Sequence, residues 1–133
     1  MHRLLMAFSV LLVMVSTATA QMTTASVGTN CTASWTAPTT NTDGSAITGT
    51  LTYNLYFQLQ SVATPPVVGT TPPSLTGITT TSVAACKGLA AGKYNAWVTA
   101  VEKFSGSTSE SALSASFPFS LVLPVTPTSL SVQ

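Results

Sequence analysis

The chain has 133 residues, of which only four are lysine or arginine, three are aspartate or glutamate and one is histidine. This length corresponds to one ordinary domain. The low and nearly balanced charge excludes the basic surface that nucleic acids require and argues against binding to anionic membranes. It also leaves little electrostatic repulsion between copies, which favours self-association.

The first twenty residues have the pattern of a secretory signal peptide. Arg3 supplies a positive charge, residues 4–15 are uncharged and too few to span a membrane, and the sequence ATA at 18–20 is a small-residue cleavage pattern. We therefore predict a signal peptide at 1–20, cleavage before Gln21, and a secreted protein that is extracellular or at the cell surface. The alternative is an uncleaved N-terminal membrane anchor.

Beyond the signal, short stretches of alternating apolar and polar residues are separated by residues typical of turns, a pattern that predicts an all-β sandwich. The predicted strands are the weak first strand QMTTASVG (21–28), CTASW (31–35), LTYNLYFQL (51–59), TTTSVAAC (79–86), YNAWVTAV (94–101) and FPFSLVL (117–123). The predicted loops are APTTNTDGS (37–45), TPPVVGTTPPS (64–74) and EKFSGSTSES (102–111). Pro118 restricts the last strand to a sheet edge.

Several motifs resemble those of a fibronectin type III domain of the bacterial secreted type. Trp35 closes the second strand and an Ala-Pro pair follows it, and TNTDGSAITGTLTYNLYF (40–57) resembles the loop and third strand of that family. GLAAGKY (88–94) resembles the turn into the sixth strand. VTAVEKFSGSTSESALS (98–114) resembles the sixth strand, the next loop and the start of the last strand. The resemblance covers about residues 22–123 and implies an immunoglobulin-like two-sheet sandwich at 21–123, followed by a tail at 124–133.

The resemblance also implies where side chains lie. Tyr94 would be the corner tyrosine of the family, with its hydroxyl bonded to backbone near Leu89. The second and fifth strands would be neighbours. The residues expected to face inward are Ala33, Trp35, Tyr53, Leu55, Phe57, Leu89, Tyr94, Ala96, Val98, Phe119 and Leu121.

Cys31 and Cys86 are the only two cysteines. An even pair in a secreted chain predicts a disulfide, and the resemblance places the two on neighbouring strands within reach of one another. Two buried free thiols are the alternative.

No catalytic arrangement is visible in the residues after the signal. They contain no histidine, which removes the usual general base and imidazole metal sites. Asp43, Glu102 and Glu110 fall in loops expected at one end of the sandwich. Solvated loop acids are the favoured interpretation; a paired-acid mechanism or a weak calcium site are the alternatives. We predict no enzyme, no cofactor and no metal site.

One sheet face is a candidate ligand site. Tyr56 and Trp97 are expected to point out of the sheet formed by strands three, six and seven, beside Asn54 and Asn95. Exposed aromatic rings next to amides suit stacking on a sugar ring or binding a partner. Ordinary strand propensity, or packing against a neighbouring copy, is the favoured explanation. A small carbohydrate- or protein-binding adhesion module, with a surface glycan as partner, is therefore the alternative function.

The tail PVTPTSLSVQ (124–133) resembles a linker and the first strand of a following domain. Three interpretations are open: a disordered end, a relic of a truncated array, or a strand donated to another copy. The weak first strand leaves the edge beside the second strand poorly covered, and Pro127, Leu130 and Val132 belong to a segment suited to pair there. Head-to-tail donation does not close and generates a filament. We therefore expect a non-catalytic structural subunit of an extracellular assembly.

Overall fold

The computed structural model describes residues 20–22, 25–28 and 31–123. Residues 1–19 of the signal predicted at 1–20, and the tail residues Pro127, Leu130 and Val132, lie outside the described residues. The described ranges contain no helix, and accordingly none that is long and apolar enough to cross a membrane. Their strands are β1 (Ala20–Met22), β2 (Ala25–Ser26), β3 (Thr32–Trp35), β4 (Thr50–Leu59), β5 (Leu75–Ile78), β6 (Ser82–Ala84), β7 (Gly92–Phe104), β8 (Ser107–Glu110) and β9 (Phe117–Val122).

The strands form two sheets, as the sandwich prediction requires. The three-stranded sheet has the order β1-β3-β6, and the six-stranded sheet has the order β2-β9-β7-β4-β5, with β8 paired to β7. The core cluster takes side chains from both sheets and contains every residue that was expected to face inward. Nine of these are fully buried, while Phe57 and Leu89 are partly buried against the cluster. The alternation of the sequence therefore predicted the core correctly.

Tyr94 has the role expected of a corner tyrosine. Its ring is buried and stacks on Phe119, with 5.3 Å between the ring centroids. Its hydroxyl donates a hydrogen bond to the backbone oxygen of Ala90 at 3.1 Å. This bond satisfies the polar end of a buried ring and fixes the turn that leads into β7.

A disulfide joins Cys31 to Cys86, as predicted, with 5.3 Å between the two Cα atoms. It lies at one end of the β3–β6 pair, where Thr32 is opposite Ala84. Both cysteines are buried, and neither is a free thiol. The free-thiol alternative is therefore wrong.

The predicted loop at 102–111 is wrong, because most of it is a β-hairpin. β7 extends to Phe104 and β8 pairs back along it, so that Glu102 lies opposite Ser109. Ser105 and Gly106 both have positive φ, 46° and 85°. Two such residues make the tight turn whose twist matches two antiparallel strands, so the polar sequence is a hairpin of exposed residues.

The predicted first strand is divided between the two sheets. β1 pairs antiparallel with β3, with Ala20 opposite Trp35 and Met22 opposite Ala33. β2 pairs parallel with β9 at Leu121 and the residue after it. The edge beside β3 is therefore occupied, by a strand of three residues. β9 meets β2 at two residues, and among the described residues no strand pairs with Pro118 on that side of β9, as expected for a strand proline.

Candidate functional site

A cleft of about 520 Å³ opens at one end of the sandwich, between the β3–β4 loop and the segment that follows β8. Leu51, Tyr53 and Val98 contribute apolar surface, and serine, threonine and asparagine side chains contribute polar surface. We call this end, formed by loop 36–49 and the β7–β8 hairpin, the cleft end. All three carboxylates of the chain line the cleft: Asp43, Glu102 and Glu110.

Asp43 holds the turn of the β3–β4 loop. Its Oδ1 accepts hydrogen bonds from the Ser45 backbone N–H at 2.9 Å and from the Ser45 hydroxyl at 2.6 Å. These bonds lower the pKa of Asp43. Gly44, with φ of 84°, permits the turn. The Asn-Thr-Asp-Gly-Ser sequence is thus a self-bonded turn that borders the cleft.

Glu102 ties the same loop to β7. Its Oε1 accepts hydrogen bonds from the backbone N–H groups of Thr48 and Gly49, at 3.1 Å and 2.7 Å. A Cβ at Gly49 would lie 2.6 Å from the Lys103 backbone oxygen. Because a Cβ would clash, only glycine fits where the loop comes this close to the strand. The two backbone hydrogen bonds hold the carboxylate of Glu102 in place.

Glu110 is the acceptor of a compact polar cluster. Its Oε1 accepts hydrogen bonds from the Thr99 hydroxyl at 2.5 Å, the Tyr56 hydroxyl at 2.9 Å and the Asn54 amide at 3.0 Å. Burial raises the pKa of Glu110, but the bonds from Thr99, Asn54 and Tyr56 outweigh burial and hold that pKa below its ordinary value. Burial also raises the pKa of Tyr56, and the bond to Glu110 adds to the effect.

The three acids meet at one end, as the sequence suggested, but they are not simply solvated loop residues. Glu110 lies in β8 and is partly buried, and each of the three accepts hydrogen bonds that hold backbone or side chains in place. Within the described ranges, no group of three or more histidine, cysteine, aspartate or glutamate side chains is arranged to hold a metal ion.

Tyr56 and Trp97 face away from the core, as predicted, and lie opposite each other on β4 and β7. They are not the exposed rings expected of a sugar platform, because Tyr56 is 2% and Trp97 is 6% exposed. The amides of that face are also engaged: Asn54 bonds to Glu110, and Asn95 accepts a bond from Gln60 at 3.4 Å. Alternation identifies the face on which a side chain lies, but it cannot reveal that this face is covered.

Two serines that the sequence did not single out shape the wall of the cleft. Ser111 N–H donates to the Ala100 oxygen and the Ser111 hydroxyl accepts from the Ala100 N–H at 3.0 Å. In the same way, the Ser114 N–H donates to the Val98 oxygen at 3.0 Å, and the Ser114 hydroxyl accepts from the Val98 N–H at 3.1 Å. Side-chain hydroxyls thus replace backbone carbonyls as ladder partners of β7, and the segment departs from a regular strand. The Ser-Ala-Leu-Ser spacing is the one sequence sign of this arrangement.

Comparison of the chain with protein-family models, with curated proteins and with solved structures gives no match. The chemistry of the cleft and of the sheet edges is therefore what bears on function. Two features stand out: a cleft lined by all three acidic side chains, and a β3 edge that is paired with three residues in the described part of the chain.

Proposed function

We propose that this protein is a secreted, non-catalytic structural subunit of an extracellular or cell-surface assembly, in which residues 127–133 of one copy pair as a strand with the next. The proposal includes a fibronectin type III-like sandwich at 21–123. Two observations support that fold. β3 and β6, which correspond to the predicted second and fifth strands, are neighbours. The Tyr94 hydroxyl donates a hydrogen bond to the backbone near Leu89, as a corner tyrosine does. The disulfide supports an oxidising compartment.

The observation that carries the proposal is how little of the β3 edge is paired in the described residues. β1 pairs with β3 there through three residues, and the first of them, Ala20, precedes the predicted cleavage site. Cleavage before Gln21 would remove the residue opposite Trp35 and leave Gln21 and Met22 as the described partners of β3. An edge strand this short at a new terminus is readily displaced, and the backbone groups it leaves are a template for another strand.

The direction of the strands fits donation from copy to copy. β9 ends beside the start of β7, where Leu121 lies opposite Gly92, which is the end of the sandwich opposite the cleft. β1 begins at Trp35, which precedes the loop of the cleft end. A donated segment entering a second copy at its cleft end would run antiparallel to β3, in the direction of β1. The same operation repeats without closing, so the product is a filament.

The sequence of the donor segment suits this role. Leu130 and Val132 alternate with Ser131, so that an extended chain would present both apolar side chains on one face. Nothing in SLSVQ carries a side-chain charge. Main-chain hydrogen bonds would give affinity, and the two apolar side chains would fix the register.

A non-catalytic role is supported by what the polar groups of the cleft already do. Glu102 accepts two backbone hydrogen bonds that join loop to strand. Glu110 accepts three side-chain bonds that hold β4, β7 and β8 together. Each of these carboxylates therefore stabilises the fold.

Negative-stain microscopy of the purified secreted protein tests the proposal. We expect filaments from the natural sequence and their loss in the double variant Leu130→Asp/Val132→Asp, because two charges would face the acceptor core. Ser131→Asp, which adds one charge on the opposite face, is the matched control and should still form filaments. A natural protein that forms no filaments at high concentration would contradict the proposal.

A further inference from the structure

The few charges of this protein are distributed unevenly along the sandwich. The chain has three carboxylates, and all of them line the cleft. Lys87 and Lys93 lie at the other end: Lys87 is in the turn between β6 and β7, and Lys93 is the second residue of β7. Glu102 is nine positions after Lys93 along β7, roughly 30 Å of extended strand. One end is therefore negative and the opposite end positive.

The positive end also carries exposed apolar surface. Val122 and Leu123 are 51% and 67% exposed where β9 ends. Both lysines are exposed. Lys93 lies opposite Ser120 of β9, and Lys87 follows β6, whose Ala84 pairs with Thr32 at the same end of the other sheet. We call this surface of Lys87, Lys93, Val122 and Leu123 the lysine end. Its counterpart at the cleft end is Phe104, 58% exposed at the tip of the β7–β8 hairpin.

Within residues 31–123, none of these lysines lies within ion-pair distance of one of these carboxylates. The hydrogen bonds to Asp43, Glu102 and Glu110 all go to one oxygen, Oδ1 or Oε1. In the described part of the chain the second oxygen of each accepts none, and none of these second oxygens is a buried atom without a partner. Each carboxylate therefore keeps an oxygen for a cation from outside.

We propose that the cleft is the docking site for the lysine end of a second copy, with Lys87 and Lys93 of that copy directed to the carboxylates of the cleft. This inference rests on the proposed head-to-tail assembly and names its second contact surface. The charges and the strand directions both favour the lysine end of one copy meeting the cleft end of the next. β9, which precedes the donor segment, ends at the lysine end, and β1 begins at the cleft end. Opposite ends of one molecule are complementary, which gives an open, repeating contact.

The docking contact differs physically from strand pairing. Ion pairs near a surface contribute modestly and are screened by salt, whereas main-chain hydrogen bonds depend little on salt. Docking would therefore act mainly on the rate and register of assembly, by aligning the two copies before the strand is exchanged.

Sedimentation velocity at ionic strengths of about 0.05 M and 0.5 M tests the docking. We expect Lys87→Gln/Lys93→Gln to weaken association about three- to tenfold at low salt and to have little effect at high salt. Lys103→Gln is the matched control, because Lys103 is exposed at the cleft end and does not line the cleft. It removes one lysine charge, where the double variant removes two, and should not weaken association.

A charge-reversal pair makes the test specific. Lys87→Glu/Lys93→Glu makes the lysine end negative. Thr42→Lys/Asp43→Lys places two positive charges on exposed residues of the cleft rim and leaves Glu102 and Glu110 unchanged. Each variant alone should assemble poorly, and an equimolar mixture should regain association. Weakening without recovery in the mixture would overturn the docking, since the lysines would then act elsewhere.

The outcomes separate this inference from the proposed function. If the natural protein associates equally well at both ionic strengths, and the lysine variants associate as well as the natural protein, the docking is overturned and strand donation is not. A natural protein that stays monomeric at low salt would overturn both.

Discussion

Glu110 concentrates three hydrogen bonds on one carboxylate oxygen at the edge of a buried aromatic face. Replacing it by glutamine keeps the shape but removes the charge that strengthens these bonds. We expect Glu110→Gln to lower the free energy of unfolding by about 1–2 kcal/mol in chemical denaturation at pH 7. Asp43→Asn, which removes the charge of an exposed turn residue, is the control and should have a smaller effect. Equal losses in the two variants would contradict a special role for Glu110.

The same carboxylate predicts how stability depends on pH. Burial raises the pKa of Glu110, yet hydrogen bonds hold it below its ordinary value in the folded state. The stabilisation is therefore complete above the unfolded-state pKa of about 4.3 and is lost as the pH falls through the lower folded value. We expect unfolding free energies measured between pH 6 and pH 2 to fall less steeply below about pH 4.3 in Glu110→Gln than in the natural protein. Identical slopes would show that Glu110 does not titrate abnormally.

Single residues also show what the sequence could and could not predict. Parity along β4 and β7 placed Tyr53 and Val98 in the core and Tyr56 and Trp97 on the opposite face, because side chains alternate in any strand. It could not show that Tyr56 and Trp97 are buried. That burial depends on contacts between residues far apart in the chain, such as the bond from Tyr56 to Glu110, and no local pattern records them.

At the scale of elements, the segment after β8 depends on two hydroxyls. Ser114→Ala would leave the buried N–H of Val98 without the acceptor it has now. An unsatisfied buried donor costs about 1–3 kcal/mol, so the midpoint of thermal or chemical unfolding should fall accordingly. Ser116→Ala, an exposed serine two residues further on, is the matched control and should change little. A Ser114→Ala protein as stable as the control would mean that water replaces the hydroxyl.

The β7–β8 turn offers an opposite prediction, a gain in stability. Ser105 has φ of 46° and precedes a glycine with φ of 85°. Asparagine adopts positive φ more readily than serine, and Asn-Gly is the preferred pair in this turn. We expect Ser105→Asn to raise the free energy of unfolding by about 0.5 kcal/mol, and Gly106→Ala to lower it. Destabilisation by Ser105→Asn would argue against the turn.

The same turn explains why the hairpin was missed as an element. Residues 102–111 are mostly polar and exposed, with Phe104 as their one apolar residue, so they lack the apolar alternation by which strands are predicted. The long strands and the disulfide were predictable because they build the core. β5 and β8 were not predicted. β5 is a short edge strand that contributes only the partly buried Leu75 and Ile78 to the core, and β8 pairs with β7 and contributes nothing to it.

For the whole molecule, the disulfide is the largest single constraint. It closes a loop with a sequence separation of 55. In the chain-entropy model a bridge of this span stabilises by about 4 kcal/mol. Cys31→Ala/Cys86→Ala should therefore unfold at much lower denaturant concentration than the oxidised natural protein. The natural protein with its disulfide reduced should behave similarly, and equal stability of oxidised and reduced forms would contradict the structure.

The polarity of the whole molecule underlies the proposed assembly. The cleft end and the lysine end are complementary in charge, and the strand directions let a segment leave one end and enter at the other. A variant lacking residues 127–133 keeps its own β3 edge and its own cleft, so it can receive a strand but cannot give one. It is therefore expected to stop filament growth wherever it is added.

Sedimentation velocity of natural protein mixed with a minor fraction of this truncated variant is the sharpest test of strand donation. We expect the truncated variant to be monomeric alone, and a small fraction of it to shorten the assemblies of the natural protein sharply. Assemblies of unchanged size in the mixture, or a truncated variant that assembles as well as the natural protein, would contradict strand donation.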